Sequence, residues 1–171
     1  MREKHGFRAA DVSSVHAFVH DYVLTTTGNR WPTTGLEGKF SIFHVLAAAL
    51  ADGAALPAQF TDARTSDPAL EELRSRVVVE HDRDQTKDSA RVVVTLHDGT
   101  VESRSVAHNL GTPGAPMTDE QLEDKLIALA APILGHQAAT RLAACCWKVT
   151  ELPDLRRLLD LTVPGTDEPL S

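Results

Sequence analysis

Hydrophobic and polar residues alternate from Asp11 to Val23 (DVSSVHAFVHDYV), with Val15, Ala17 and Val19 on one set and His16, Phe18, His20 and Tyr22 on the other. That period of two predicts a strand. Thr25–Gly35, with Gly28, Pro32 and Gly35, reads as a polar loop. The pattern then changes. Phe40–Ala51 is almost continuously apolar and rich in alanine, too long for an ordinary strand, so it predicts a buried helix. Asp52-Gly53 closes that helix, with Gly53 as a left-handed cap. Ser66-Asp67-Pro68 is a helix start, with a capping residue followed by proline at the first helical position, and Leu70 and Leu73 face inward. Val77–His81 and Arg91–His97 read as strands, with Val92, Val94 and Leu96 on one face. Asp98-Gly99 predicts a hairpin into a return strand over Thr100–Val106.

Beyond the hairpin the period becomes helical. Gly111–Pro116 (GTPGAP) is a tight loop, and Thr118-Asp119-Glu120-Gln121 matches a capping box. The helix it opens runs to about Leu134, with Leu122, Leu126, Leu129, Ala130 and Ile133 at helical spacing, and Gly135 breaks it. Further helices are expected over about His136–Lys148 and from Pro153 through Leu155, Leu158 and Leu159. The fold class is therefore α+β: a small antiparallel sheet packed with helices, followed by C-terminal helices. The expected division is 1–117, then helices over 118–163, then a polar tail over 164–171.

Composition narrows the function classes. The chain has 171 residues and a formal net charge of -7, and no run of lysine and arginine forms the patch that nucleic acid or an anionic membrane surface would need. The longest apolar run falls short of the ~18 residues of a membrane span. The two cysteines, Cys145 and Cys146, are adjacent, which excludes a disulfide framework and fits a reducing cytoplasm. They read as small buried hydrophobes. His16 and His20 lack a third ligand, so no metal site is expected. GLEGK lacks the spacing of a phosphate-binding loop, and no nucleotide site is expected.

The chemistry concentrates in Thr34–Gly53. A glycine-spaced segment with Glu37 and Lys39 leads into an apolar run whose polar side chains are Ser41, His44 and Asp52. Buried polar groups need a partner or a purpose. Were the segment helical throughout, Glu37, Ser41 and His44 would form one polar stripe. His44 is then either a hydrogen-bonded core histidine or a group that exchanges a proton near neutral pH. Lys39 is either a surface lysine or a point charge for a carboxylate. Ser41 either caps the helix or contacts substrate, and Glu37 could close a capping box with Thr34.

The run GLEGKFSIFHVLAAALADG resembles the MmgE/PrpD family of 2-methylcitrate dehydratase-like and cis-aconitate decarboxylase-like enzymes. Matching segments follow in order: Gln59-Phe60-Thr61-Asp62, Asp67-Pro68-Ala69, Arg91–Gly99, Gly111-Thr112-Pro113 with Pro116, and Glu120 through Lys125. The opening REKHGFRAADVSSV fits as well, so the resemblance covers about residues 2 to 165. It implies a large helical part followed by an α+β lid and returning helices, of which this chain matches the lid and the returning helices. It further implies a lyase-type, cofactor-independent reaction on a small di- or tricarboxylate: proton abstraction with dehydration, decarboxylation or epimerisation. Lys39 and Ser41 are implied in substrate binding. His44, where the family often has tyrosine, is implied as the acid or hydrogen-bond donor. The chain is expected to be inactive without the helical part, which a separate N-terminal helical subunit would supply, and its expected partner is a second copy in a homodimer or that separate subunit. The alternative is a non-catalytic dimerisation or subunit-binding module.

Overall fold

The alternating segment after Asp11 folds as strand β1 (Val12–Val19), four residues shorter at its end than its pattern predicts. His20 stops it. Its backbone is still extended, but its ring accepts a hydrogen bond from the Tyr22 backbone N–H and caps helix α1 (Asp21–Thr27). The expected loop from Thr25 therefore begins as a helix, in which Thr25, Thr26 and Thr27 return their hydroxyls to carbonyls one turn back. These bonds satisfy the hydroxyls within the turn but do not themselves favour the helix; the His20 cap is what starts it.

The structure is a computed structural model that describes residues 5–165, and these divide into two units between Ala115 and Pro116. The first unit holds the sheet. Strands β2 (Val77–His81), β3 (Ala90–Leu96) and β4 (Val101–Val106) join β1 in the order β2-β1-β3-β4. β3 pairs with both β1 and β4 antiparallel, and the Asp98-Gly99 hairpin is present as expected. β2 lies parallel to β1, with Val15 opposite Val77. The fold is thus α+β with a mixed sheet. The parallel pair arises because β1 returns to β2 through a long helical crossover, which allows the same direction where a hairpin would not.

That crossover carries α1, α2 (Gly35–Lys39), α3 (Ile42–Asp52), α4 (Asp62–Thr65) and α5 (Pro68–Ser75). Gly53, at φ 77°, ends α3 in the left-handed conformation that glycine adopts without steric cost. Asp67 caps α5 and Pro68 opens it, as its sequence predicts. Val12, Val15, Val77 and Val94 of the sheet bury against Phe43, Ala47 and Leu50 of α3 and Leu70 and Leu73 of α5. The other sheet face carries half-buried His16 and Phe18, the latter covered by the Arg91 guanidinium 3.8 Å from its ring centre.

The second unit is helical. Thr118 and Gln121 form the expected capping box at the start of α6 (Asp119–Leu134). Gly135 separates it from α7 (His136–Trp147), and a short α8 (Arg156–Asp160) follows. The Trp147 indole donates to Glu123 Oε1 at 2.6 Å, joining the end of α7 to the start of α6, so the two run antiparallel. α7 buries Ala139 and Ala143, whereas no residue of α6 is fully buried among the described residues. No helix of the described residues is long and apolar enough to cross a membrane.

Candidate functional site

The Thr34–Gly53 segment does not form one continuous helix. α2 ends at Lys39, Phe40 follows, and Ser41 takes up extended backbone (φ -126°, ψ 104°) to restart the chain as α3. The polar stripe expected of Glu37, Ser41 and His44 is therefore broken. Ser41 is fully buried, and its Oγ accepts the His44 backbone N–H at 3.1 Å as the cap of α3. Thr34 caps α2 by accepting from the Glu37 N–H. The Glu37 carboxylate reaches one residue further back than a capping box requires. It accepts the Thr33 backbone N–H at 2.7 Å and the Thr33 hydroxyl at 3.0 Å, and these bonds hold its pKa below the ordinary carboxylate value.

Two glycines let this turn lie flat on the crossover. A Cβ at Gly35 would sit 1.9 Å from the Phe60 carbonyl oxygen, and one at Gly38 would sit 3.0 Å from Thr65 Oγ1 and 3.2 Å from the His44 ring. The Gly35 N–H donates to Asp62 Oδ1 at 2.7 Å. Close backbone approach at Gly35 is a packing demand that no other residue meets.

His44 lies behind the turn with none of its surface exposed. Its Nε2 is 2.7 Å from the Gln59 carbonyl and its Nδ1 is 3.0 Å from Arg74 Nη1. A carbonyl only accepts and a guanidinium only donates, so the ring must be neutral, with the proton on Nε2 and the Nδ1 lone pair taken by Arg74. Burial pushes the His44 pKa down, and the Arg74 and Arg64 charges add to this against the opposing Gln59 carbonyl. Phe60 stacks edge-on to the ring. Both nitrogens are engaged, so proton exchange with an outside molecule would first require one of these bonds to open.

Arg74 is itself 2% exposed and also donates to the Thr65 carbonyl at 2.7 Å. Burial lowers its pKa, opposed by Glu71. Its Nε and Thr65 Oγ1 are buried without a hydrogen-bond partner. Arg64 clamps the same crossover, binding Asp52 through Nε and Nη2 and Asp67 through Nη1. Gln59 and Asp62 fall in a segment matched to the family without a role being assigned to either, and Thr65 and Arg74 escape a reading of local motifs. Arg74 alone leaves a trace, because Leu70, Leu73 and Arg74 fall at i, i+3 and i+4 on the inward face of α5.

Lys39 stands on the other side of this arrangement. It is exposed at the end of α2, and its neighbours Leu36 and Phe40 are 67% and 56% exposed. The three expected site residues are thus divided: Ser41 and His44 are joined inside the fold, and Lys39 is outside, on an apolar ledge. A single cation flanked by exposed apolar side chains on a pinned turn can hold a carboxylate by charge.

Residues 1–149 match the MmgE/PrpD C-terminal domain. The chain is similar to a cis-aconitate decarboxylase of Aspergillus terreus, 26% identical over 167 residues, which is 88% of this chain and 34% of that protein. It is also similar to a cis-aconitate decarboxylase of Mus musculus, 27% identical over 136 residues, 75% of this chain and 28% of the relative. The alignments thus take in about a third of the length of each relative.

Proposed function

The chain belongs to the MmgE/PrpD family, and from that premise we propose that it forms the lid wall of an enzyme cleft for a small di- or tricarboxylate such as cis-aconitate. The observation that carries this reading is Lys39: an exposed ammonium between exposed Leu36 and Phe40, on a turn pinned from behind by Asp62, Gly35 and Gly38. Lys39 binds a substrate carboxylate and stabilises the charge that grows on it when a neighbouring C–H loses its proton. The resulting carbanion expels hydroxide from the adjacent carbon or is reprotonated on its other face; in a decarboxylation, departing carbon dioxide leaves its bonding pair on carbon, and that carbanion takes up a proton. Ser41 and His44 hold the ledge in place. As a proton donor His44 would act only after releasing Gln59, so its first role here is positioning. The base that takes the proton stands on the opposite wall, which the helical part of the family supplies. Localisation in the cytoplasm, with no cofactor, completes the proposal.

The test is turnover. The purified chain incubated with cis-aconitate should release no carbon dioxide above the buffer rate, because one wall lacks the base. Robust decarboxylation by the chain alone would overturn the single-wall reading.

A further inference from the structure

The second unit contains a cavity of about 340 Å³. Arg141, Cys145 and Lys148 line it from successive turns of α7 and the residue after it, at i, i+4 and i+7, and Arg157 lines it from α8. Leu152 and Leu161 give it an apolar wall. Among the described residues the arginines in ion pairs are Arg8, Arg64 and Arg76, all in the first unit. Arg141, Lys148 and Arg157 therefore bring three positive charges to one cavity without an acidic side chain in an ion pair to any of them, although the chain as a whole carries a net charge of -7. Like charges around one cavity repel, and an anion seated among them reverses the sign of that interaction. Guanidinium groups add geometry, since each can hold a carboxylate through two parallel hydrogen bonds. The size fits a small molecule.

We propose that this cavity is a binding site for a small organic di- or tricarboxylate with an apolar body, its charges on Arg141, Lys148 and Arg157 and its body against Leu152 and Leu161. All of its lining residues belong to the second unit.

The two cysteines provide the readout. Cys145 is half-buried and lines this cavity; Cys146 is exposed and lines a different one, beside Leu122 and Trp147. The probes are benzene-1,3,5-tricarboxylate, citrate and inorganic phosphate, titrated calorimetrically into the full chain, with iodoacetamide labelling of each cysteine followed by mass spectrometry. The expected result is saturable binding of the aromatic tricarboxylate, weaker binding of citrate and weakest of phosphate. Saturation should slow labelling of Cys145 and leave Cys146 unchanged. Arg141→Gln with Arg157→Gln, both at exposed positions, should weaken the binding that protects Cys145 about tenfold or more while circular dichroism stays the same. Absent saturable binding, affinity unchanged in the double variant, or equal protection of both cysteines would overturn the site. Phosphate binding more tightly than either carboxylate would overturn the ligand class, and citrate matching the aromatic probe would overturn the role of the apolar wall.

Discussion

His44 is neutral because its two neighbours leave it no choice: Gln59 offers only an acceptor and Arg74 only donors. Protonation would place a second N–H against the Arg74 guanidinium inside the fold. The folded-state pKa is consequently lowered from its value near 6.5, and the unfolded chain binds this proton more readily than the native one. Stability from this group is therefore complete above the unfolded pKa and is lost as pH falls below it, by up to about 1.4 kcal/mol per pH unit until the folded pKa is reached. Urea denaturation at about pH 8 and about pH 5.5 should show a larger acid loss in the native sequence than in His44→Gln, which keeps a donor for Gln59 but does not titrate in this range. Equal losses in the two proteins would contradict the neutral, buried assignment. The sequence marks His44 as a polar residue in an apolar helix. It does not disclose the partners, which lie 15 and 30 positions away and meet it only through the crossover.

At the scale of elements, the α2 turn is where sequence and structure diverge most. A run of apolar residues after Lys39 argues for one helix, but Ser41 competes for the His44 backbone N–H and begins a new one. The same competition, with His20 as cap, ends β1 early and starts α1. Where a start signal is complete on its own, as at Asp67-Pro68 or Thr118 with Gln121, the expected boundaries appear as written. The glycine pair tests how firmly the turn is fixed. Gly35→Ala presses a methyl group on the Phe60 backbone carbonyl and should cost about 3 kcal/mol or more, beyond ordinary overpacking. Gly38→Ala meets the Thr65 side chain and the edge of His44 and should cost about 1–2 kcal/mol. Denaturation midpoints check the order, and a Gly35→Ala protein as stable as Gly38→Ala would show that the turn is not pinned to the crossover.

At the scale of the whole molecule, the α+β class, the hairpin and the C-terminal helices follow from periodicity and turn chemistry, which are local. The parallel β1–β2 pair does not, because Val15 and Val77 are 62 positions apart and their pairing depends on how the crossover folds. The same limit applies to the candidate site. Lys39 is legible as a charge, while its apolar ledge depends on α2 being held against the crossover by contacts to Phe60, Asp62 and Thr65. The central claim is that this ledge is a carboxylate-binding wall, and amide chemical shifts during a titration of cis-aconitate into the labelled chain test it most directly. The expected result is saturable change at residues 35–40 that Lys39→Gln abolishes and that Arg141→Gln with Arg157→Gln leaves intact. No change across that segment, or change that survives Lys39→Gln, would contradict it.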